Sequence, residues 1–312
     1  MAEVAIESAA PPARAARRTL ADRDGFLGAA FLLPSVLYIV GLVAFPFFLA
    51  IAFSLSDVRA GDFSYDFVGL ENFRDILGDS TFRRALLNTV VLTVATMAIV
   101  VVVARALALV LTANFRGKRL VRFLVLLPWT TPVALSAITW LGLLDSLFSP
   151  IDWILRELGL LPPLGHMIWL GKPGLAMGSV IAVHVWRIVP LAAVIIMAGL
   201  TAIPDEIRDA ADVDGAGFWR KQWEIEMPLT LPVTAVATLF GGILTFTDLA
   251  VVRVLTRGGP VRATETLPSW AFSKGIDGGQ LAQGAAIALF LFPLLLVAAV
   301  AILRAVRRME VT

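Results

Sequence analysis

Long apolar runs alternate with short polar segments along the whole of this 312-residue chain. An α-helix rises 1.5 Å per residue, so about 20 apolar residues cross a hydrocarbon core of roughly 30 Å. Six stretches reach that length, near 26–55, 86–112, 120–144, 174–200, 232–254 and 281–303. They predict an all-α, polytopic membrane protein with six transmembrane helices. The first run contains Pro34 and Pro46, which predict a kink, and it is long enough to tilt or protrude. Its length, and the tail of 25 residues ahead of it, argue against a cleaved signal peptide.

Composition agrees with a membrane protein. Hydrophobic residues make up 58% and charged residues 16%, against roughly 45–50% and about 25% in an ordinary soluble domain. The net charge is only +2, and no block of basic residues forms a contiguous patch, which excludes nucleic acid as a partner. Cysteine is absent, so thiolate chemistry and disulfides are excluded, and the two isolated histidines, His166 and His184, argue against a histidine metal site.

Lys and Arg density sets the expected orientation. Segments 1–25, 113–122, 204–222 and 304–312 carry 14 basic residues over 63 positions, whereas 57–85, 145–173 and 254–280 carry 9 over 85. Both termini are therefore expected in the cytoplasm. The implied organisation is a cytoplasmic tail (1–25), a transmembrane domain (26–303) with a cytoplasmic loop at 204–228, and a second tail (304–312). Arg187 and Arg253 lie close enough to predicted span ends for their heads to reach the interface. Arg105 is deeper, where a guanidinium needs a partner on another helix or another subunit, unless the span ends earlier than drawn.

The cytoplasmic loop, RDAADVDGAGFWRKQWEIEMPLTLP from Arg208 to Pro232, is more than a connector. Pro204 suits the first turn of a helix, and Asp205, Glu206 and Asp209 follow where acids complement the positive helix end. Ile207, Ala210, Ala211 and Asp214 share one side and predict a short helix with a small, flat face. Gly215 and Gly217 permit the positive φ that ends it. A second amphipathic piece, Phe218 to Met227, precedes Pro228 and Pro232. By physics alone, this pattern also fits a surface helix lying on the membrane.

The spacing resembles the EAA signature of ABC importer permeases. Asp209-Ala210-Ala211 stands for the Glu-Ala-Ala triplet, Asp212-x-Asp214-Gly215-Ala216 for its middle and Ile225-Glu226-Met227-Pro228 for its end; Asp209 replaces Glu, and Met227 replaces Leu. Elsewhere the chain is similar to the carbohydrate, MalF-like branch. The matching stretches are Phe67-Val68-Gly69-Leu70-Glu71-Asn72-Phe73, Phe82 through Asn88-Thr89, Ala198-Gly199-Leu200 before Ile203-Pro204, and Leu255-Thr256-Arg257-Gly258-Gly259-Pro260. That branch usually has Gly where Arg257 stands, so a different turn is expected there.

The resemblance implies a type I importer permease fold in a bacterial cytoplasmic (inner) membrane and a loop that docks on an ATPase through Asp209, Ala210, Ala211, Asp214, Gly215, Ala216 and Gly217. The implied partners are two ATP-binding subunits, an extracytoplasmic solute-binding protein and a second permease. The N-terminal tail and the Gly-Gly-Pro element favour a different chain for the last. No G-x-x-x-x-G-K-[ST] motif is present, so ATP and Mg are expected in the partner ATPase, and no catalytic residue or cofactor in this chain.

Polar and aromatic residues at membrane depth, Trp129, Thr130, Thr131, Trp140, Phe246, Thr247 and Asp248, are candidates to line a solute path for a sugar or related polyol. Each of them also has a packing or helix-pairing reading. Trp153 and Trp169 are expected on the external surface. The competing readings are a permease for an amino acid, a phosphodiester or an ion, a secondary transporter and a membrane hydrolase. The secondary transporter lacks the paired intramembrane acids and inverted repeat it wants. The hydrolase has no Ser or Asp partner for His184 by spacing, and core packing is the competing role for that histidine.

Overall fold

A computed structural model of the chain describes residues 24–62 and 65–310. Residues 1–23 of the expected N-terminal tail lie outside this range, whereas 304–310 of the expected C-terminal tail continue the last helix. The chain resolves into two compact units, one ending at Leu49 and the other comprising Ala50–Thr312. Helix α1 (Asp24–Ile39) passes through a wide π-type turn at Val40–Ala44 into α2 (Phe45–Ser54). Pro46 is the second residue of α2, so its missing N–H falls just past the wide turn.

In the second unit, a two-stranded antiparallel ribbon pairs Ser56 with Phe67 and Asp57 with Asp66. Helices α3 (Glu71–Gly78) and α4 (Ser80–Thr112) follow. Asp79 caps α4 by accepting the Thr81 N–H at 2.8 Å. Next come α5 (Lys118–Thr130), α6 (Val133–Leu143), α7 (Pro150–Glu157) and α8 (Pro173–Thr201). Among the described residues, five helical segments are long and apolar enough to cross a membrane, and α5 with α6 counts as a sixth only as a broken span.

The third predicted span, 120–144, is thus not one straight helix, because α5 and α6 meet at 96°. Pro132 sterically disfavours helical backbone at Thr131, which is extended (φ −73, ψ 134). The hydroxyls of Thr130 and Thr131 both donate to the Leu127 carbonyl, at 3.1 and 2.7 Å. The fifth span also differs from 232–254. Its helix runs from Phe218 to Phe246, through α10 (Phe218–Arg220), a π-type stretch (Lys221–Glu226) and α11 (Met227–Phe246). Pro228 falls in the first turn of α11, just past the π-type stretch, so the amphipathic piece and the apolar run form one helical segment.

Helix α8 lies at the centre of this unit. Val100, Ala104 and Ala108 on α4 recur every four residues and meet Ile188, Ala192, Ala193 and Ile196 on α8, all of them buried. Small side chains let the two backbones approach closely, which apolar solvent alone does not drive. A second cluster joins α3 and the start of α4 to α13 (Leu267–Phe272) and α14 (Leu281–Glu310), with Phe82 and Phe290 rings 4.9 Å apart. A third joins α4 and α8 to α12 (Ala250–Leu255). Trp169, expected at the surface, packs partly buried against this third cluster, and its Nε1–H donates to buried Asp152 at 2.8 Å. Trp153 is exposed.

Gly275 and Gly284 mark the tightest crossing between α14 and the helical stretch that precedes it. A Cβ on Gly284 would stand 2.4 Å from the Gly275 Cα and 2.9 Å from the Ala271 carbonyl oxygen. Gly284→Leu should therefore lower stability by about 1–3 kcal/mol. Gly178→Ala, whose Cβ has nothing within 4 Å, should not. Thermal unfolding in detergent, monitored by size exclusion, compares the two.

Candidate functional site

The polar loop folds as α9 (Asp205–Val213) followed by a left-handed glycine cap. Ala216 N–H donates to the Ala211 carbonyl at 2.9 Å, and Gly215 N–H to that of Asp212 at 3.1 Å. These paired bonds form a Schellman motif with Gly215 at φ +72. Gly217, expected to share the positive φ, has φ −67 and begins the next helix instead. The predicted flat face also turns out differently. Ala211 and Ala216 point inward, while Asp209, Ala210, Val213 and Asp214 are exposed, Val213 to 88%. The loop thus presents small residues, acids and one bare apolar side chain outward.

Asp248, the sharpest candidate for the solute path, is consumed by the protein itself. It sits in the break between α11 and α12, where Oδ1 accepts the Val251 N–H at 2.8 Å and Oδ2 accepts Arg187 Nη1 at 2.8 Å. Arg187 is buried and does not reach for the interface as expected. His184 is fully buried with Nε2 3.7 Å from Asp248 Oδ1, so the acid that spacing did not reveal is supplied by the distant break between α11 and α12. Its Nδ1 lies 2.9 Å from the Val180 carbonyl and must carry a proton there, because a carbonyl only accepts. Arg253 is likewise paired, with Asp277 at 2.5 Å, and its guanidinium lies 4.9 Å from the centre of the Phe272 ring.

The other path candidates do not converge. Trp129 packs against the α4–α8 core. Trp140 stands edge-on to Trp186 at 5.6 Å. Phe246 lines an apolar cavity of about 510 Å³ with Met97 and Leu295. The hydroxyls of Thr131 and Thr247 are spent on carbonyls one turn back, at 2.7 and 2.8 Å.

At the opposite end of α4, two of the motif stretches from the sequence fit one another. Asn88 donates to the carbonyls of Arg262 and Glu265 at 3.2 and 2.9 Å, and Thr89 Oγ1 accepts the Leu267 N–H at 2.9 Å. They hold the Gly-Gly-Pro loop, in which Arg257 takes φ +50, the backbone conformation that a glycine at that position adopts without strain. A Cβ on Gly258 would lie 2.5 Å from Glu265 Oε2. Burial pushes the Glu265 carboxyl above the ordinary carboxylate range, partly offset by the Ser269 hydroxyl, which donates to Oε1 at 2.6 Å, and by Arg262 and Arg253.

Comparison with known proteins places this geometry in context. Residues 101–311 match the family described as "Binding-protein-dependent transport system inner membrane component". The trehalose/maltose transport system permease protein MalF of Thermococcus litoralis is 32% identical over 74% of this chain and 76% of its own length. The sn-glycerol-3-phosphate transport system permease protein UgpA of Agrobacterium fabrum is 30% identical over 72% and 75%. A chain from the crystal structure of a bacterial alginate ABC transporter, bound to an alginate-loaded periplasmic protein, superposes with a TM-score of 0.78 at 19% identity, covering 94% of this chain and 98% of its own.

Two outcomes follow from the buried charges. Asp248→Ala should cost roughly 3–5 kcal/mol by stranding Arg187, whereas the Arg187→Met/Asp248→Asn double variant should recover most of it while keeping a helix cap; thermal unfolding of the purified chain measures both. Because the folded value of Glu265 is raised, its contribution is present below the unfolded carboxyl value and is lost as pH rises through the folded one. Glu265→Gln should therefore be more stable than wild type at neutral pH, with the difference shrinking on acidification.

Proposed function

The chain belongs to the binding-protein-dependent transport system inner membrane components, and from that premise we propose that it is the translocating subunit of an ATP-driven importer for a sugar or sugar-derived solute. Its five to six apolar spans make it a multi-pass membrane protein. The observation that carries the proposal is the capped helix α9, which presents Asp209, Ala210, Val213 and Asp214 outward from a polar loop between two spanning helices. Such a protrusion is suited to receive force from outside the membrane. The denser Lys and Arg of this loop and of both terminal segments favour placing them in the cytoplasm, beside an ATPase pair that binds ATP and Mg.

In this reading, closure of two ATP-binding subunits displaces α9, and the spans it joins alternate between inward-open and outward-open arrangements. Moving such a gate from 1:99 to 99:1 takes about 5.5 kcal/mol of differential binding, which nucleotide-driven closure of an ATPase dimer can supply. A second permease chain completes the path, and an extracytoplasmic binding protein delivers the solute. The trehalose/maltose relative supports the sugar class. The glycerol-3-phosphate relative supports a second reading, a phosphorylated polyol.

Mild-detergent purification of the tagged chain from its host should bring down a second permease and an ATPase, identified by mass spectrometry. Repeated recovery of the chain alone would count against the assembly. Gly215→Val should abolish uptake while leaving membrane insertion intact, because a β-branched residue disfavours the left-handed cap by roughly 1–2 kcal/mol or more. Uptake at the wild-type rate would remove α9 from the coupling role.

A further inference from the structure

Arg105 stands near the loop-side end of α4, and among the described residues it has no carboxylate within ion-pair distance. Instead its Nη1 donates to Thr230 Oγ1 at 2.5 Å and its Nη2 to Gln222 Oε1 at 3.1 Å. The Gln222 Nε2 donates in turn to Glu226 Oε2. The other carboxylate oxygen of Glu226 accepts Arg208 Nε at 3.2 Å. Arg208, on α9, also donates to the Leu200 carbonyl at the end of α8 at 2.6 Å. Four side chains therefore connect α9 to α4 without passing through the backbone.

The orientation of this connection is fixed chemically. A guanidinium only donates and a carboxylate only accepts, so the Gln222 amide has one allowed direction, oxygen toward Arg105 and nitrogen toward Glu226. Gln222 and Glu226 are each 8% exposed and Thr230 is 1% exposed, so water competes little for these bonds. A cavity of about 470 Å³ lined by Val101, Arg105, Trp219 and Trp223 lies on one side, and one of about 390 Å³ lined by Arg208, Lys221 and Glu226 lies on the other, with Gln222 lining both.

We propose that Arg208, Glu226, Gln222 and Arg105 are positioning residues that transmit displacement of α9 to the loop-side end of α4, in parallel with the covalent path through Met227. This rests on the reading of α9 as the coupling element. Its own content is that α4, which contacts α8 along most of its length, is tied to α9 by a side-chain relay across the first turns of the Phe218–Phe246 helix, and not only by the apolar packing of the spans.

The absence of cysteine permits two clean spin labels, Glu206→Cys on α9 and Asn114→Cys just beyond α4, both at exposed positions. Electron–electron distance measurements are made on the assembled complex in nanodiscs, nucleotide-free and after trapping with Mg-ATP and vanadate. With the link intact, one narrow distance should persist in both states, because the two ends move together. Gln222→Leu removes the amide while keeping its bulk, and should raise the fraction of distances outside that peak about tenfold, most clearly after trapping. Arg105→Met cuts the far end of the link and should behave alike, which covers a failure of the first variant to fold. Distributions identical among wild type and both variants would overturn the link. If no ATPase accompanies the chain, the transport reading fails separately, and the nucleotide-free distributions of the chain alone still decide the link.

Discussion

Hydrocarbon offers no hydrogen bonds, so every polar group that enters the membrane must be met by the protein itself. The departures of this chain from plain helix follow that rule. The bend at Pro132 is tied off by two threonine hydroxyls on one carbonyl. The break after Phe246 is capped by Asp248, whose other oxygen meets a buried guanidinium. Thr230, Thr234 and Thr238 each return a hydroxyl to a carbonyl one turn back along α11. Polar side chains in the spans are thus mostly repairs to the fold, and their presence at membrane depth does not by itself mark a solute path.

The same constraint explains how the spans associate. Lipid tails compete with any apolar contact, so helices gain by close backbone approach and by the few polar pairs they can bury. Alanines on α4 and α8 supply the first, and the Arg187–Asp248 pair supplies the second. Such a pair is a weak net stabiliser compared with well-packed apolar residues, but it admits only one registration of α8 against α11 and α12. At the two ends of α4 the contacts are of a different kind. One end is fastened by Asn88 and Thr89 to the Gly-Gly-Pro loop, and the other by Arg105 to the polar chain leading to α9. The helix is packed in its middle and tethered at its extremities, an arrangement suited to an element that must shift as a body.

Much of this was legible in the sequence. Apolar run length placed most of the spans to within a few residues, but the third is broken at Pro132, and the fifth runs from Phe218 to Phe246 because the polar, amphipathic turns ahead of its apolar run are helical too. The cap at Gly215 was readable because the requirement for positive φ is local to one residue. Motif spacing at Asn88-Thr89 and Gly258-Gly259-Pro260 marked two stretches that the fold brings together, although nothing in either indicated the other.

What only the tertiary structure decided are the partners of the charges. Asp248 lies 61 positions from Arg187 and 64 from His184, and no periodicity links them. Arg105 is separated from Gln222 by 117 positions. Local conformation depends on backbone sterics and on the apolar period, both written in neighbouring residues. The pairing of a buried charge depends instead on which helices are packed side by side, and that is settled by the close fit of small residues along α4 and α8.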